Sequence, residues 1–286
     1  MSRASFALPY WLSAPGAIAI LALVGLPLAM TFALSLHPFL PDGSVGGKLT
    51  LSNYEQIVSD GYYLAIFART FALATLVTLV CVVVGVPEAY VLSRLSSRWR
   101  AVSIVVVLGP LLVSVVVRTL GWAILLGNEG AINSSLIALG VIDAPLRLMF
   151  TFTGVVVALV HVLLPYMVLA VWASLQKLDP ATEQAADALG AGHFTVLRRI
   201  VLPQVIPGIL AGALIVFALA ASAFATPAII GGRRLKVVPT TIFDQFLNEL
   251  NWPMGAALAA TLMALVLSIT MIVNAFVERR YKQVFA

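Results

Sequence analysis

Six stretches of this chain carry no Asp, Glu, Lys or Arg: residues 4–41, 70–87, 101–117, 148–176, 200–232 and 250–277. No other feature restricts the fold as strongly. A helix needs about 20 mostly apolar residues to cross a bilayer, and it satisfies its own backbone polar groups on the way. Barrel strands alternate over about 10 residues, and these runs do not alternate. Six spans are predicted, near 13–36, 65–92, 101–127, 149–175, 204–230 and 254–277, in an all-α membrane protein. The short ones extend past a flanking charge, Arg69 or Arg118. The whole chain, 1–286, reads as a single transmembrane domain. Charged residues make up 10%, against about 25% in soluble domains. That excludes a soluble enzyme, a disordered chain and a nucleic-acid binder.

Orientation follows from Lys and Arg in the loops. One alternating side holds Arg3, Arg94, Arg98, Arg100, Lys177, Arg198, Arg199, Arg279, Arg280 and Lys282. The other holds Lys48, Arg147, Arg233, Arg234 and Lys236. The richer side is expected to be cytoplasmic, with both termini inside. Trp11, Trp99 and Trp172 then fall at the inner interface, and Trp122 and Trp252 at the outer one. Only Arg3 precedes the first apolar run, and no small-residue cleavage site follows it. An uncleaved first helix is expected. The outer loops are 37–64, with a short helix over NYEQIVSD, then 128–148 and 231–253.

Enzyme motifs are missing. The nearest approach to a nucleotide-binding loop, DGSVGGKLT, has Asp42 in place of the first glycine and Leu49 in place of Ser or Thr. H-E-x-x-H and G-x-S-x-G do not occur. The single cysteine, Cys81, lies in an apolar run and reads as a small hydrophobe. No metal site is expected and no cofactor is expected on this chain. If the protein uses ATP, another subunit must bind it.

The inner loop 176–203 carries the strongest signal. Asp179 before Pro180 is a helix start, and Glu183 adds negative charge to the first turn. Alanines follow, and Gly190 and Gly192 stop the helix. A second short helix is expected over 194–201, ending before Pro203. The result is a helix–turn–helix with a smooth apolar face, suited either to lie on the membrane or to dock a cytoplasmic partner. Glu183, Ala185, Ala186, Gly190, Ile200, Leu202 and Pro203 resemble, in type and spacing, the EAA motif of binding-protein-dependent ABC importer permeases of the type I fold. In that family this loop, between helices 4 and 5 of six, is the coupling helix that seats in the ATPase. The segments VVRTLGWAILLGNEGAINSSL, GVIDAPLRLMFT and NWPMGAALA resemble the spermidine/putrescine branch. The resemblance implies a bacterial inner-membrane assembly: a second permease of different sequence, two ATPases carrying ATP and Mg, and a periplasmic binding protein. It also implies alternating access.

Polar residues within spans are functional candidates. Arg118 is expected about 17 residues, roughly 26 Å, into the third span, lining the route or snorkelling outward. Trp122 lies one turn on. Glu88 is expected at the inner end of the second span, paired with a basic loop residue or touching substrate. His161, four residues before Pro165, serves either the backbone that proline frees or a gate. Pro110, Pro165, Pro207 and Pro227 are bending points. Asp244 and Glu249 belong to the outer loop 231–253. Seven acidic and seven basic residues face outward, so charge does not name the cargo. A polyamine follows from the resemblance. An anionic or zwitterionic solute, such as an organophosphonate or amino-acid derivative, is the alternative. An ion-gradient-driven secondary transporter is the rival of another class; it predicts paired intramembrane acids or an inverted repeat, and neither is evident.

Overall fold

The computed structural model describes residues 8–285. Arg3 lies outside the described residues, as do the side chains of Trp11, Arg280 and Lys282. In chain order the helices are α1 (Leu8–Ile20), a π-helical turn (Leu21–Gly25), α2 (Leu26–Ser35), α3 (Ser52–Ser59), α4 (Gly61–Arg94), α5 (Ser97–Leu112), α6 (Val115–Leu126), α7 (Ala131–Ala138) and α8 (Phe152–Leu175). Then come α9 (Pro180–Ala188), α10 (His193–Val196), a π turn (Leu197–Val201), α11 (Leu202–Ala221), a π turn (Pro227–Gly231), α12 (Val238–Leu247) and α13 (Trp252–Phe285). Extended pairing among the described residues is confined to one isolated bridge, Phe39 with Val45. Among the described residues six stretches are long and apolar enough to cross a membrane: Ser13–Ser35, Gly61–Arg94, Val115–Ala138, Phe152–Leu175, Phe194–Ala221 and Trp252–Phe276.

Two predicted spans need correction. The expected 101–127 is not continuous. Pro110 supplies no N–H, α5 ends two residues later, and Val113 and Ser114 are extended before α6 begins. The expected 204–230 is displaced toward the N-terminus. Pro203 does not end a helix there. It sits in the first turn of α11 behind a π turn, where its missing N–H is tolerated. At the far end the Ser222 hydroxyl donates to the carbonyls of Ala218 at 2.8 Å and Leu219 at 3.3 Å. A side chain that takes the last carbonyls helps to stop the helix. Residues 223 and 224 are not helical, and Pro227 opens the next turn.

The chain forms two compact units, one of residues up to Leu64 with Thr241–Ala264, the other Ala65–Thr240 with Leu265–Ala286. In the first, buried Asn53 donates to the carbonyls of Ser35 at 2.9 Å and His37 at 2.8 Å, satisfying groups that the end of α2 leaves open. Tyr54 meets the Ser35 hydroxyl at 2.6 Å. The loop between turns on Asp42, whose carboxylate accepts from the Ser44 N–H and hydroxyl. Those bonds hold its carboxyl below the ordinary range. The short helix expected over NYEQIVSD is α3, and the loop expected at 231–253 contains the ten-residue helix α12.

In the second unit α8 is the central helix. Val155, Ala158, Leu159, Met167, Val168 and Val171 are fully enclosed. Its main neighbour is α11. The approach is close because Gly208 and Gly212 carry no side chain. A Cβ on Gly208 would fall onto Ser174 and the Ala170 carbonyl, and one on Gly212 would stand 2.9 Å from the Met167 sulfur. Small residues at such contacts are the usual means of packing spans in lipid, where burial gives no hydrophobic gain. Pro165 does not interrupt α8, which runs unbroken for 24 residues. Cys81 is buried in this core, with Sγ near the Val160 carbonyl.

Candidate functional site

The 176–203 loop is built from local rules. Asp179 Oδ1 accepts from the Ala181 N–H at 2.9 Å, which caps α9. Gly190 ends it with φ +79°. The Ala191 N–H then reaches back to the Ala186 carbonyl at 3.1 Å, the bond that closes a Schellman turn. Ala186, Val196 and Val201 are buried and anchor the loop to the second unit, while Leu189 and Phe194 are exposed. Ala185 and Pro203 are exposed as well, and Ile200 and Leu202 are half-buried. Glu183 is paired within the chain. Its carboxylate accepts from the Arg94 guanidinium at the end of α4. Arg94 also stands over the Tyr90 ring, 5.0 Å from its centre. A rigid short helix is thus tied by an ion pair to one long span and by backbone continuity to two more.

A second constellation surrounds the break between α5 and α6. Arg118 is not deep in a continuous third span, as expected from the sequence. It lies in the first turn of α6, and its Nη2 donates to the Val113 carbonyl at 3.1 Å. The guanidinium therefore serves a carbonyl released by the break. Its Nε and Nη1 are enclosed without a partner. The next residue, Thr119, is buried and meets Thr226 Oγ1 at 3.1 Å. The interruption after α5 is in this way joined to the one after α11. Between them lies a cavity of about 250 Å³ bordered by Arg118, Tyr166, Ser222 and Phe224. Interrupted spans are tolerated where the backbone is enclosed or lines a cavity. One turn beyond Arg118, Trp122 Nε1 donates to His161 Nδ1 at 3.0 Å, with the rings edge to face. That bond sets the proton of His161 on Nε2. The carbonyl left without a donor by Pro165 is the one His161 itself carries, so the imidazole is spent on Trp122 and not on that backbone.

The structure thus brings Arg118, Trp122 and His161 into one neighbourhood and leaves Glu88 elsewhere. Glu88 borders a separate cavity between α4 and α5. Among the described residues it has no ion pair, contrary to the expected pairing with a basic loop residue. Asp244 belongs to the other unit, on α12, and accepts from Asn248 Nδ2 at 2.7 Å. Arg94, Tyr90, Thr119 and Thr226 escaped the sequence reading. Arg94 was counted only as a loop charge, and an aromatic residue four positions before it was the available signal. Two threonines 107 residues apart gave none. Among the described residues no three His, Cys, Asp or Glu side chains come together to hold a metal ion.

Residues 89–283 match the family described as binding-protein-dependent transport system inner membrane component. The spermidine/putrescine transport system permease protein PotB of Escherichia coli (strain K12) is 37% identical over 213 residues, covering 74% of this chain and 77% of that protein. PotB of Haemophilus influenzae is 31% identical over 235 residues, 81% of this chain and 82% of that one. Among solved structures, a bacterial ABC transporter involved in the import of the acidic polysaccharide alginate aligns over 95% of both chains, with a TM-score of 0.80 and 16% identity. That last likeness concerns the fold.

Proposed function

The chain belongs to the family of binding-protein-dependent transport system inner membrane components, and we propose that it is the permease subunit of an ATP-driven polyamine importer of the spermidine/putrescine kind. What carries the reading is the likeness to PotB, which extends over about three quarters of both chains. The subunit is a multi-pass inner-membrane protein that does no covalent chemistry. It works with a second permease of different sequence, two ATPase subunits that hold ATP and Mg, and a periplasmic binding protein that delivers the cargo. Both termini and the 176–203 loop face the cytoplasm.

In this reading α9 is the coupling helix. Ala185, Leu189 and Phe194 are the exposed surface offered to the ATPase. Gly190 fixes the turn that presents it. When the ATPase dimer closes, α9 moves as a body, because a capped and Schellman-terminated helix of nine residues has little internal freedom. The motion passes through Arg94 to α4 and through the 197–201 turn to α11. It arrives at the interruptions beside Arg118 and Thr226, where a span already lacks part of its hydrogen-bond ladder and bends at low cost. The route then opens outward to receive the polyamine.

The test is uptake of radiolabelled spermidine and putrescine into proteoliposomes that hold the chain with its cognate partners, with ATP inside. Uptake that requires both ATP and the binding protein is expected. ATP-dependent uptake of a phosphonate or an amino acid, with polyamines inert, would refute the cargo and keep the architecture.

A further inference from the structure

Beyond the coupling machinery, the inner part of α4 and the facing side of α5 flank an open cavity of about 470 Å³ that holds one carboxylate, Glu88, and whose rim residues Val91, Trp99, Val102 and Val106 are exposed. We propose that this cavity is a binding station for the primary ammonium group of the cargo, at the cytoplasmic end of its route. The proposal rests on the polyamine reading above.

Glu88 is half-buried, one residue after Pro87 in α4. A carboxylate placed among apolar groups is costly unless a cation answers it. No described residue does so. Of the three arginines that follow Glu88 within twelve residues, Arg98 is exposed in the first turn of α5, and the other two are committed elsewhere. Arg94 pairs with Glu183. Arg100 Nη2 donates to the carbonyls of Ser93 at 3.2 Å and Leu95 at 2.9 Å. The cavity is of ligand size, within the roughly 300–1,000 Å³ typical of small-molecule sites. Its walls are methyl-bearing, with Val91, Leu95, Val102 and Val106 among them, and its polar groups besides Glu88 are few: Ser103 and the Trp99 indole.

That chemistry selects the occupant. A divalent metal ion wants six or more oxygen ligands, and the cavity offers one carboxylate and one hydroxyl. An anion is repelled by Glu88. An alkylammonium chain matches each part: the ammonium on Glu88, the methylenes along the valines, and cationic character against the ring of Trp99. The cavity beside Arg118 has the opposite sign and takes no part in it. The amine of phosphatidylethanolamine carries the same head chemistry, so the experiment must separate it from the cargo.

The complete complex is placed in nanodiscs, and binding of tritiated spermidine is measured with the binding protein removed. Glu88→Gln is expected to weaken half-saturation about tenfold or more, with Glu88→Asp retaining most of the affinity. In proteoliposome uptake Glu88→Gln should act on the saturable inward step and so lower kcat. Recovery of intact complex by size exclusion, and the Asp variant, separate loss of the site from loss of the fold. Wild-type binding and uptake in Glu88→Gln overturn the station and leave the polyamine reading standing. Absence of polyamine transport by the wild-type complex overturns the reading itself. A Glu88→Gln effect seen only in discs containing phosphatidylethanolamine, and absent in phosphatidylglycerol alone, assigns the cavity to lipid and overturns the proposal.

Discussion

At one end of α11 the chain runs through two short helices whose ends are set by contacts a few residues apart; at the other it breaks and is held by side chains from distant parts of the sequence. The first region has Asp179 on the Ala181 N–H and the Ala191 N–H on the Ala186 carbonyl, contacts spanning five residues or fewer. The second has Thr119 on Thr226 and Trp122 on His161. A helix built by local rules keeps its shape whatever its neighbours do, which suits a part that transmits a push. An interruption built from tertiary contacts changes when its neighbours move, which suits a part that responds. The difference is one of chemistry as well. The first region spends backbone N–H groups on a nearby carboxylate and carbonyl, with the Arg94–Glu183 pair added, and the second spends hydroxyl, imidazole and guanidinium groups on enclosed carbonyls and on each other.

The strongest way to break this contrast is Gly190→Arg. At φ +79° a side chain strains the backbone by roughly 1–2 kcal/mol, and the bulk of arginine stands on the surface proposed to meet the ATPase. Uptake should fall at least 100-fold, to background, while membrane insertion is kept. Full transport would show that the shape of the turn is not used. Next in size is the Arg94–Glu183 pair. Arg94→Glu sets like charges together and should reduce uptake about tenfold, a free-energy difference of about 1.4 kcal/mol. Adding Glu183→Arg should return it to within about threefold of wild type. Partial exposure of the pair (side chains 47% and 17% exposed) limits its contribution to stability, so the readout is coupling and not melting. A double variant no better than either single one would mean that Glu183 answers a group outside this chain.

The same contrast explains what could be read in advance. Six apolar runs announce six spans because a bilayer imposes length and composition on any sequence that crosses it. The inner loop was legible because caps and a terminating glycine are rules over a few residues. The breaks at Val113 and Ser222 were not, although both lie near prolines. Pro165 and Pro207 occupy comparable apolar surroundings and leave α8 and α11 continuous. Whether a proline ends a helix depends on what else can satisfy the released carbonyl, and that is a tertiary fact. At the break itself Arg118, five residues on, takes the Val113 carbonyl; read as a deep charge in an unbroken span, that arginine could only be taken for a route residue or a snorkelling one. Glu88 failed in the opposite direction. Basic residues adjacent in sequence suggested a pair, but geometry gives Arg94 to Glu183 and Arg100 to carbonyls.

A smaller effect is expected where the two regions share a helix. Gly208→Val pushes a methyl onto Ser174 and the Ala170 carbonyl, so α11 must move off α8. Overpacking of this kind costs about 1–3 kcal/mol. The melting temperature of the purified protein in detergent should fall by about 3–8 °C. Gly212→Ala should do less, because the Met167 sulfur it meets can swing aside. Equal losses at both positions would mean that α11 is held by something other than this close approach.

The smallest effect belongs to the bond between the two breaks. Thr226→Val removes one partner of a buried hydroxyl pair, but Thr119 Oγ1 keeps its donation to the Val115 carbonyl at 2.8 Å. Such bonds between spans are worth about 0.6 kcal/mol on average, since the chain unfolded within lipid also finds partners. Each single valine variant should lower the melting temperature by about 1–2 °C. The double variant Thr119→Val with Thr226→Val should lose less than the sum of the two, because the second substitution removes a group the first has already left alone. Strict additivity would uncouple the hydroxyls and with them the two interruptions. If the deficit appears in melting while spermidine uptake stays within twofold, the bond serves to position the break. If uptake falls much further than stability does, the bond is made and broken during the cycle, and the responsive end of α11 acquires a defined moving part.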